Sequence, residues 1–246
     1  MLWHKIKDLI AKSKQKGCPV EIWWRDDDAI SMTASLEQLL GLSEKWSAPL
    51  SLAVIPEPCN GYFPLPDKVS IIQHGIAHIN HAKEGKKKSE FPEDCEFYPR
   101  NEDILFHKKK LKKTFGNCFV PIFVPPWNRI APNYIESISD CGFSALSRFG
   151  KAKQNIICEL NTHIDIVNNK TRPKTLINEN AILEVLANEI EERIHNTSHK
   201  MPIGLLTHHL VHDSLCWRFL DNLLAFLNEQ EVLLVDVKRW LSNASV

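Results

Sequence analysis

The chain has 246 residues, 43% hydrophobic and 24% charged, a composition typical of an ordinary soluble globular protein. Thirty basic residues balance thirty acidic ones, which excludes a global field able to recruit nucleic acid or an anionic membrane. Seven cysteines without a Cys-x-x-Cys, no apolar signal core and no run near the ~20 apolar residues of a span point to reduced thiols, a cytoplasmic location and no membrane span.

In chain order, the spacing of apolar residues predicts a helix over 5–16, stopped by Gly17 and Pro19, and a strand over 20–25. A helix over 33–46, with Leu36, Leu39, Leu40 and Leu42 on its apolar side, leads to a strand over 50–55 and a proline- and glycine-punctuated loop over 56–66. A strand over 69–73 precedes a polar, aperiodic stretch over 79–100, a long loop of the kind that often carries function. The remainder alternates: helix 102–115, strand 118–124, short helix 133–141, strand 143–147, one or two strands within 155–167, helix 178–195, strand 203–207, helix 215–228 and a last strand over 232–237. This alternation, without linker or repeat, predicts one α/β domain over residues 1–246, a parallel sheet with helical crossovers closing into a barrel. The polar motifs follow strands at their C-terminal ends. Those ends share one face of such a barrel, so residues 26–28, 74–78, 125–128 and 208–212 are expected to meet there.

Asp26, Asp27 and Asp28 stand in a row at the end of the first predicted strand. Like charges resist burial unless a cation or proton sits among them, so the row offers hard oxygen ligands and a general base. Its plainer use is a salt-bridge cluster with Arg25 or a helix cap. His74 and His78 are four apart, a spacing that turns both imidazoles toward one cation on a helical turn, with His81 as a third candidate. The rigid turn Pro125-Pro126-Trp127-Asn128 offers an indole wall for a sugar face and an amide to orient a polar group. Its plainer use packs Trp127 into the core. His208 at another strand end can protonate a leaving amine or alkoxide, with His163 and Asp165 as candidates to orient it. His209 and His212 read as caps of the next helix together with Asp213, or as a second metal site. The lysine clusters at 86–88 and 108–113 read as solvated surface. Glycine is scarce, at nine, and no glycine-rich phosphate loop is present, against a nucleotide-cradling fold.

On these residues the chain resembles the polysaccharide deacetylase family (NodB homology, carbohydrate esterase family 4). The family's first motif, Thr-Phe-Asp-Asp-Gly or an Asp-x-Asp variant, is similar to Arg25-Asp26-Asp27-Asp28-Ala29. The second, His-Ser/Thr-x-x-His, is similar to His74-Gly75-Ile76-Ala77-His78, with Gly75 replacing the hydroxyl residue. The late aliphatic strand ending in histidine is similar to Leu205-Leu206-Thr207-His208. Pro125-Pro126-Trp127-Asn128-Arg129 loosely resembles the proline-aromatic wall, and the arginine that usually precedes it is missing. Order and spacing match over residues 20–212.

The resemblance implies a distorted (β/α)7 barrel and a divalent metal on Asp28, His74 and His78. Zinc is the expected ion, with cobalt, nickel, manganese and iron as alternatives. Asp27 is the base by the Asp-Asp pattern and Asp26 by the Asp-x-Asp pattern, while strand alternation favours Asp26 on the side of Asp28. His208 is the implied acid, and Pro126, Trp127 and Asn128 the implied substrate wall. The implied reaction removes an N-acetyl or related acyl group from a sugar, with a saccharide precursor such as a nucleotide- or lipid-linked sugar as the expected partner and no nucleic acid. Two rival readings are an amide or cyclic-imide hydrolase acting on a non-sugar substrate, and a non-catalytic saccharide-binding domain with a relict metal site.

Overall fold

The computed structural model describes residues 1–93, 100–153, 156–196 and 201–244. Among them, short apolar runs fold as strands β1 (Glu21–Ala29), β2 (Leu50–Val54), β3 (Val69–His74), β4 (Phe119–Val124), β5 (Ala145–Leu146), β6 (Cys158–Glu159), β7 (Ile164–Asp165), β8 (Val167–Asn168), β9 (Thr175–Leu176), β10 (Ile203–Thr207) and β11 (Leu233–Leu234). The amphipathic segments fold as helices α1 (Leu2–Gln15), α2 (Ala34–Lys45), α3 (Asn101–Phe115), α4 (Asn133–Asp140), α5 (Glu179–His195), α6 (Ser214–Glu229) and α7 (Val237–Ala244). Side-chain oxygens of Thr33, Asn178 and Asp213 accept from the amides of Leu36, Ala181 and Cys216, which fixes the starts of α2, α5 and α6.

A parallel sheet runs in the order β6-β5-β4-β3-β2-β1-β10-β7, with β11 beside β1. Alternate residues go to opposite faces. Ile22, Trp24, Leu52, Ile71 and Phe123 join the outer core with the helices, while Trp23, Ala53, Ile72, Val120 and Ile122 fill the barrel. Burying each large apolar side chain of this kind stabilises by roughly 1.5–3 kcal/mol. The result is the distorted (β/α)7-type barrel that the alternation predicts. No helix among the described residues is long and apolar enough to cross a membrane.

The barrel closes without a ladder between β6 and β7. The segment that carries both strands changes partner part-way along. The amides of Leu160 and Thr162 donate to the carbonyls of Leu146 and Arg148, and then that of His163 donates to Gly204 at 2.7 Å. A methyl group at Gly204 would collide with the main chain of Asn161 and Thr162, so glycine admits this segment.

Four expectations from sequence are corrected. β1 continues through Ala29, so the three aspartates lie within the strand instead of beyond its end. The 232–237 run is strand only at Leu233–Leu234. Asp236 then accepts from the Lys238 amide and the chain turns into α7, whose Val237, Trp240 and Leu241 pack on the barrel's inner cluster. The 143–147 run shortens to β5, and β8 and β9 form an antiparallel hairpin where no element is expected. Within the 79–100 loop, Phe91 bridges to Ile130, and residues 94–99 lie outside the described residues.

A candidate metal-assisted active site

β1 positions most of the site. Trp23, Arg25 and Asp27 face the barrel interior, whereas Trp24 and Asp26 face outward, toward Thr207. Asp28 would follow Asp26 outward, but its φ of 73° is left-handed, and the pairing of β1 with β2 shifts register between Asp26 and Ala29. That irregularity swings Asp28 back beside Asp27, and both line one cavity of about 360 Å³. Alternation alone, which puts Asp26 with Asp28, does not hold here.

Asp28, His74 and His78 offer three ligand atoms within 4.8 Å of one another, the one such cluster among the described residues. The Nε2 atoms of His74 and His78 lie 3.2 and 3.3 Å from Asp28 Oδ1. A tetrahedral ion with ligand bonds of about 2.0–2.1 Å separates its ligands by about 3.3 Å, so the donor set fits a small divalent cation. His74 Nδ1 donates to the Val124 carbonyl at 3.1 Å, which leaves Nε2 as the lone-pair nitrogen. Burial alone would raise the Asp28 pKa, but the hydrogen bond and charge of His74, with His208 and His78 nearby, hold its carboxyl far below the usual range. Burial and the charge of His74 push His78 down, favouring the neutral, ligating form.

Asp27 is braced from below. Arg25, fully buried, meets it through Nε at 2.9 Å and Nη2 at 3.1 Å. The same guanidinium donates to Asn128 Oδ1 at 2.7 Å and Ser147 Oγ at 2.7 Å. Asp26, by contrast, has its oxygens taken up by Thr207 Oγ1 at 2.6 Å, the His209 amide at 3.0 Å and His209 Nδ1 at 2.5 Å.

His208 lines the cavity opposite, with Nδ1 3.8 Å from Asp165 Oδ1. Asp165 is itself held by the Val167 amide and Asn169 Nδ2. Burial raises the Asp165 pKa, partly offset by the charge of His208. His163 is elsewhere, its Nδ1 accepting from the Gly204 amide. His212 Nε2 accepts from the His208 amide and Asp213 caps α6, so His209 and His212 do not join a metal cluster.

Trp127 and Asn128 both have left-handed φ, 56° and 57°, and line the cavity. Trp127 is half-buried, its ring 4.3 Å from that of His78. With Asp28 and His78, four of the six non-glycine residues with positive φ gather at this site, a concentration of strain that marks functional backbone. Pro126 is buried behind the turn, against Gly75.

No protein-family model matches the sequence, and no curated protein matches it. Solved structures do. A protein assigned as a polysaccharide deacetylase from Mycobacterium smegmatis matches with a TM-score of 0.57 at 11% identity, covering 91% of this chain and 89% of that one. A family 4 acetyl xylan esterase from Clostridium thermocellum, in complex with a cobalt ion, gives 0.53 at 12% identity over 92% of both chains. The Xyl-CE4 domain of a multidomain xylanase from the hindgut metagenome of Trinervitermes trinervoides gives 0.52 at 12% identity over 92% of both. The fold is that of the polysaccharide deacetylases.

Against the polysaccharide deacetylase motifs the chain departs at two places. Gly75 stands where a hydroxyl residue is usual, and a side chain there would fall on Glu90 Oε2 and the Pro126 ring. The buried Glu90 carboxylate instead accepts from the amides of Ile76 at 3.0 Å and Ala77 at 2.7 Å, and so fixes the turn between the two histidines. No arginine precedes the wall, but Arg25 brings a buried guanidinium to it from β1 through Asn128. Sequence reasoning missed Glu90 entirely. It also read Lys88 as solvated surface, although Lys88 lines the cavity with its Nζ 6.0 Å from the Trp127 ring centre.

Proposed function

We propose that this chain is a metal-dependent hydrolase that removes an N-acetyl or related acyl group from a sugar. One observation carries the reading: the Asp28–His74–His78 triad lies in one cavity with the arginine-braced Asp27 and with His208, which faces Asp165. The solved structures of this fold include an acetyl xylan esterase holding cobalt, which supports both deacylation and a divalent ion.

A divalent cation on Asp28, His74 and His78, zinc by first choice, supplies Lewis acidity toward an acyl carbonyl and makes water acidic at neutral pH. Asp27 takes the proton of the attacking water, with Arg25 fixing the carboxylate so that its geometry is set before substrate arrives. His208 gives a proton to the departing nitrogen or oxygen, and Asp165 holds the ring that carries it. Trp127 offers its indole face to a pyranose, and Asn128 keeps both the wall and Arg25 in place. Asp26 belongs to the fold, because its oxygens are taken up by Thr207 and His209.

Acetate release from a panel of N-acetyl and O-acetyl sugars, measured beside bound metal, tests this. Asp27→Asn and His208→Ala should keep the metal and lose ~10²–10⁴ in turnover, the usual effect of removing a positioned proton-transfer group. His74→Ala and His78→Ala should lose the metal. Near-normal turnover in Asp27→Asn, or no acetate from any acylated sugar, overturns the reading.

A further inference from the structure

The cavity above the triad carries a cationic rim that deacylation of a neutral sugar does not require. Lys88 comes from the loop after β3, Arg129 follows the Pro126–Asn128 turn, and Arg172 and Lys174 come from the β8–β9 hairpin. Three separate segments thus bring four cations to one cavity. Among the described residues none of the four is ion-paired with a carboxylate, unlike Lys14, Lys45, Lys151 and Arg193 elsewhere on the surface.

The cavity's own carboxylates are already engaged: Asp27 by Arg25, Asp28 by the two histidines, and Asp165 by the Val167 amide and Asn169 beside His208. The local balance is therefore positive, and a bound divalent cation makes it more so. Like charges gathered around one cleft repel one another unless an anion enters, and such a cleft concentrates anionic ligands.

Both arginines are pinned. Arg129 Nη1 donates to the Lys88 carbonyl at 3.1 Å, and Arg172 Nη1 donates to the carbonyls of Asn169 and Thr171 at 3.1 and 2.7 Å. Each is thus oriented by main chain through one nitrogen and keeps further donors in its planar fork, the geometry that suits phosphate oxygens. Arg129 also lines a neighbouring cavity of about 450 Å³ that holds Lys86 and Lys87, along with Glu93, so positive charge continues away from the triad.

Resting on the hydrolase reading for the position of the acyl group, we infer that the saccharide taken by this cleft carries a phosphate or diphosphate ester. Arg129 and Arg172, with Lys88 and Lys174, hold the ester, while the acyl group reaches Asp28, His74 and His78. A phosphate ester brings about −1.5 to −2 charges and three acceptor oxygens, a better match to four cations than the single charge of a uronate.

Calorimetric binding on the metal-loaded protein tests this with five probes: N-acetylglucosamine, its 1-phosphate, a nucleotide-diphosphate-linked form, a short-chain polyprenyl-diphosphate-linked form, and a glucuronate disaccharide. The phosphorylated probes should bind at least about ten-fold tighter than the neutral sugar, with an advantage that shrinks as salt rises. In Arg172→Gln/Lys174→Gln that ratio should collapse toward one while the melting temperature holds, since the hairpin tip is not core. The tightest of the three phosphorylated probes names the source of the ester. Equal affinity for neutral and phosphorylated sugars, a preference that survives in the double variant, or a glucuronate bound as tightly as phosphate would overturn the inference. Rim-dependent phosphate binding without acetate release would uphold it and sink the hydrolase reading. Deacetylation of neutral sugars with no phosphate preference would do the reverse.

Discussion

Arg25 sits at full burial between Asp27, Asn128 and Ser147, so its charge is balanced by one carboxylate and shared with two polar partners. Removing one member of a buried pair leaves the other uncompensated, at a cost of about 3–5 kcal/mol. Arg25→Met should lower stability by that amount in urea titration and reduce turnover while bound metal is retained. A variant as stable as wild type would show that Asp27 holds no charge in the folded protein. The Asp26–His209 pair makes a different prediction. Burial pulls the His209 pKa down, but the charge and hydrogen bond of Asp26 outweigh it and hold His209 above its ordinary 6.5. A histidine raised in the folded state stabilises fully below its unfolded value and loses that contribution as pH climbs through the folded one. Stability should therefore decline as pH rises above about 6.5. Denaturant titrations across pH 6 to 9 should show that decline in wild type and a flatter profile in His209→Gln.

At the scale of elements, the turn after β3 depends on a side chain from outside it. Glu90 holds the amides of Ile76 and Ala77, and through them the angle of His78. Groups that orient metal ligands typically contribute 10–100-fold to metal affinity. Glu90→Gln keeps the size but loses one of the two acceptor oxygens, so metal affinity, measured by competition with a chelator, should fall within that range. If affinity is unchanged, the turn holds itself. The seam of the barrel offers a second test. Gly204→Ala puts a methyl group into the main chain at Asn161 and Thr162, and overpacking of this kind costs about 1–3 kcal/mol, readable as a lowered melting temperature.

These two elements also show what the sequence can and cannot disclose. The caps at Thr33, Asn178 and Asp213, the strand ends at 74 and 207 and the His74–His78 spacing are local patterns, and local patterns were legible. Glu90, Asp165 and the rim residues Arg172 and Lys174 act across long separations from a loop and a hairpin without periodicity, so no local pattern announces them. The orientation of Asp28 was hidden for another reason. It depends on a left-handed torsion at a non-glycine residue, and the propensity of aspartate gives no warning of that. Likewise, the apolar character of 232–237 suited a strand, and the turn into α7 is set by the single cap at Asp236.

At the scale of the whole molecule, β1 is central in the sheet, with β2 on one side and β10 on the other. Trp23 faces Gly204 across the ladder, and Asp26 takes its hydrogen bonds from a histidine 183 residues further along the chain. A fragment ending at residue 196 lacks that edge, so it should unfold without a cooperative transition and bind metal weakly. A sharp melt from such a fragment would mean that the first half of the barrel is autonomous. The same arrangement bears on how the protein is made. At ~5–20 residues per second, a ribosome needs on the order of ten to forty seconds to reach the partner of Asp26. Until then the nascent chain carries an open strand edge beside a carboxylate that has no place to be buried. The ring can close only when synthesis is almost over, so its yield in a cell depends on whatever shields that edge in the meantime.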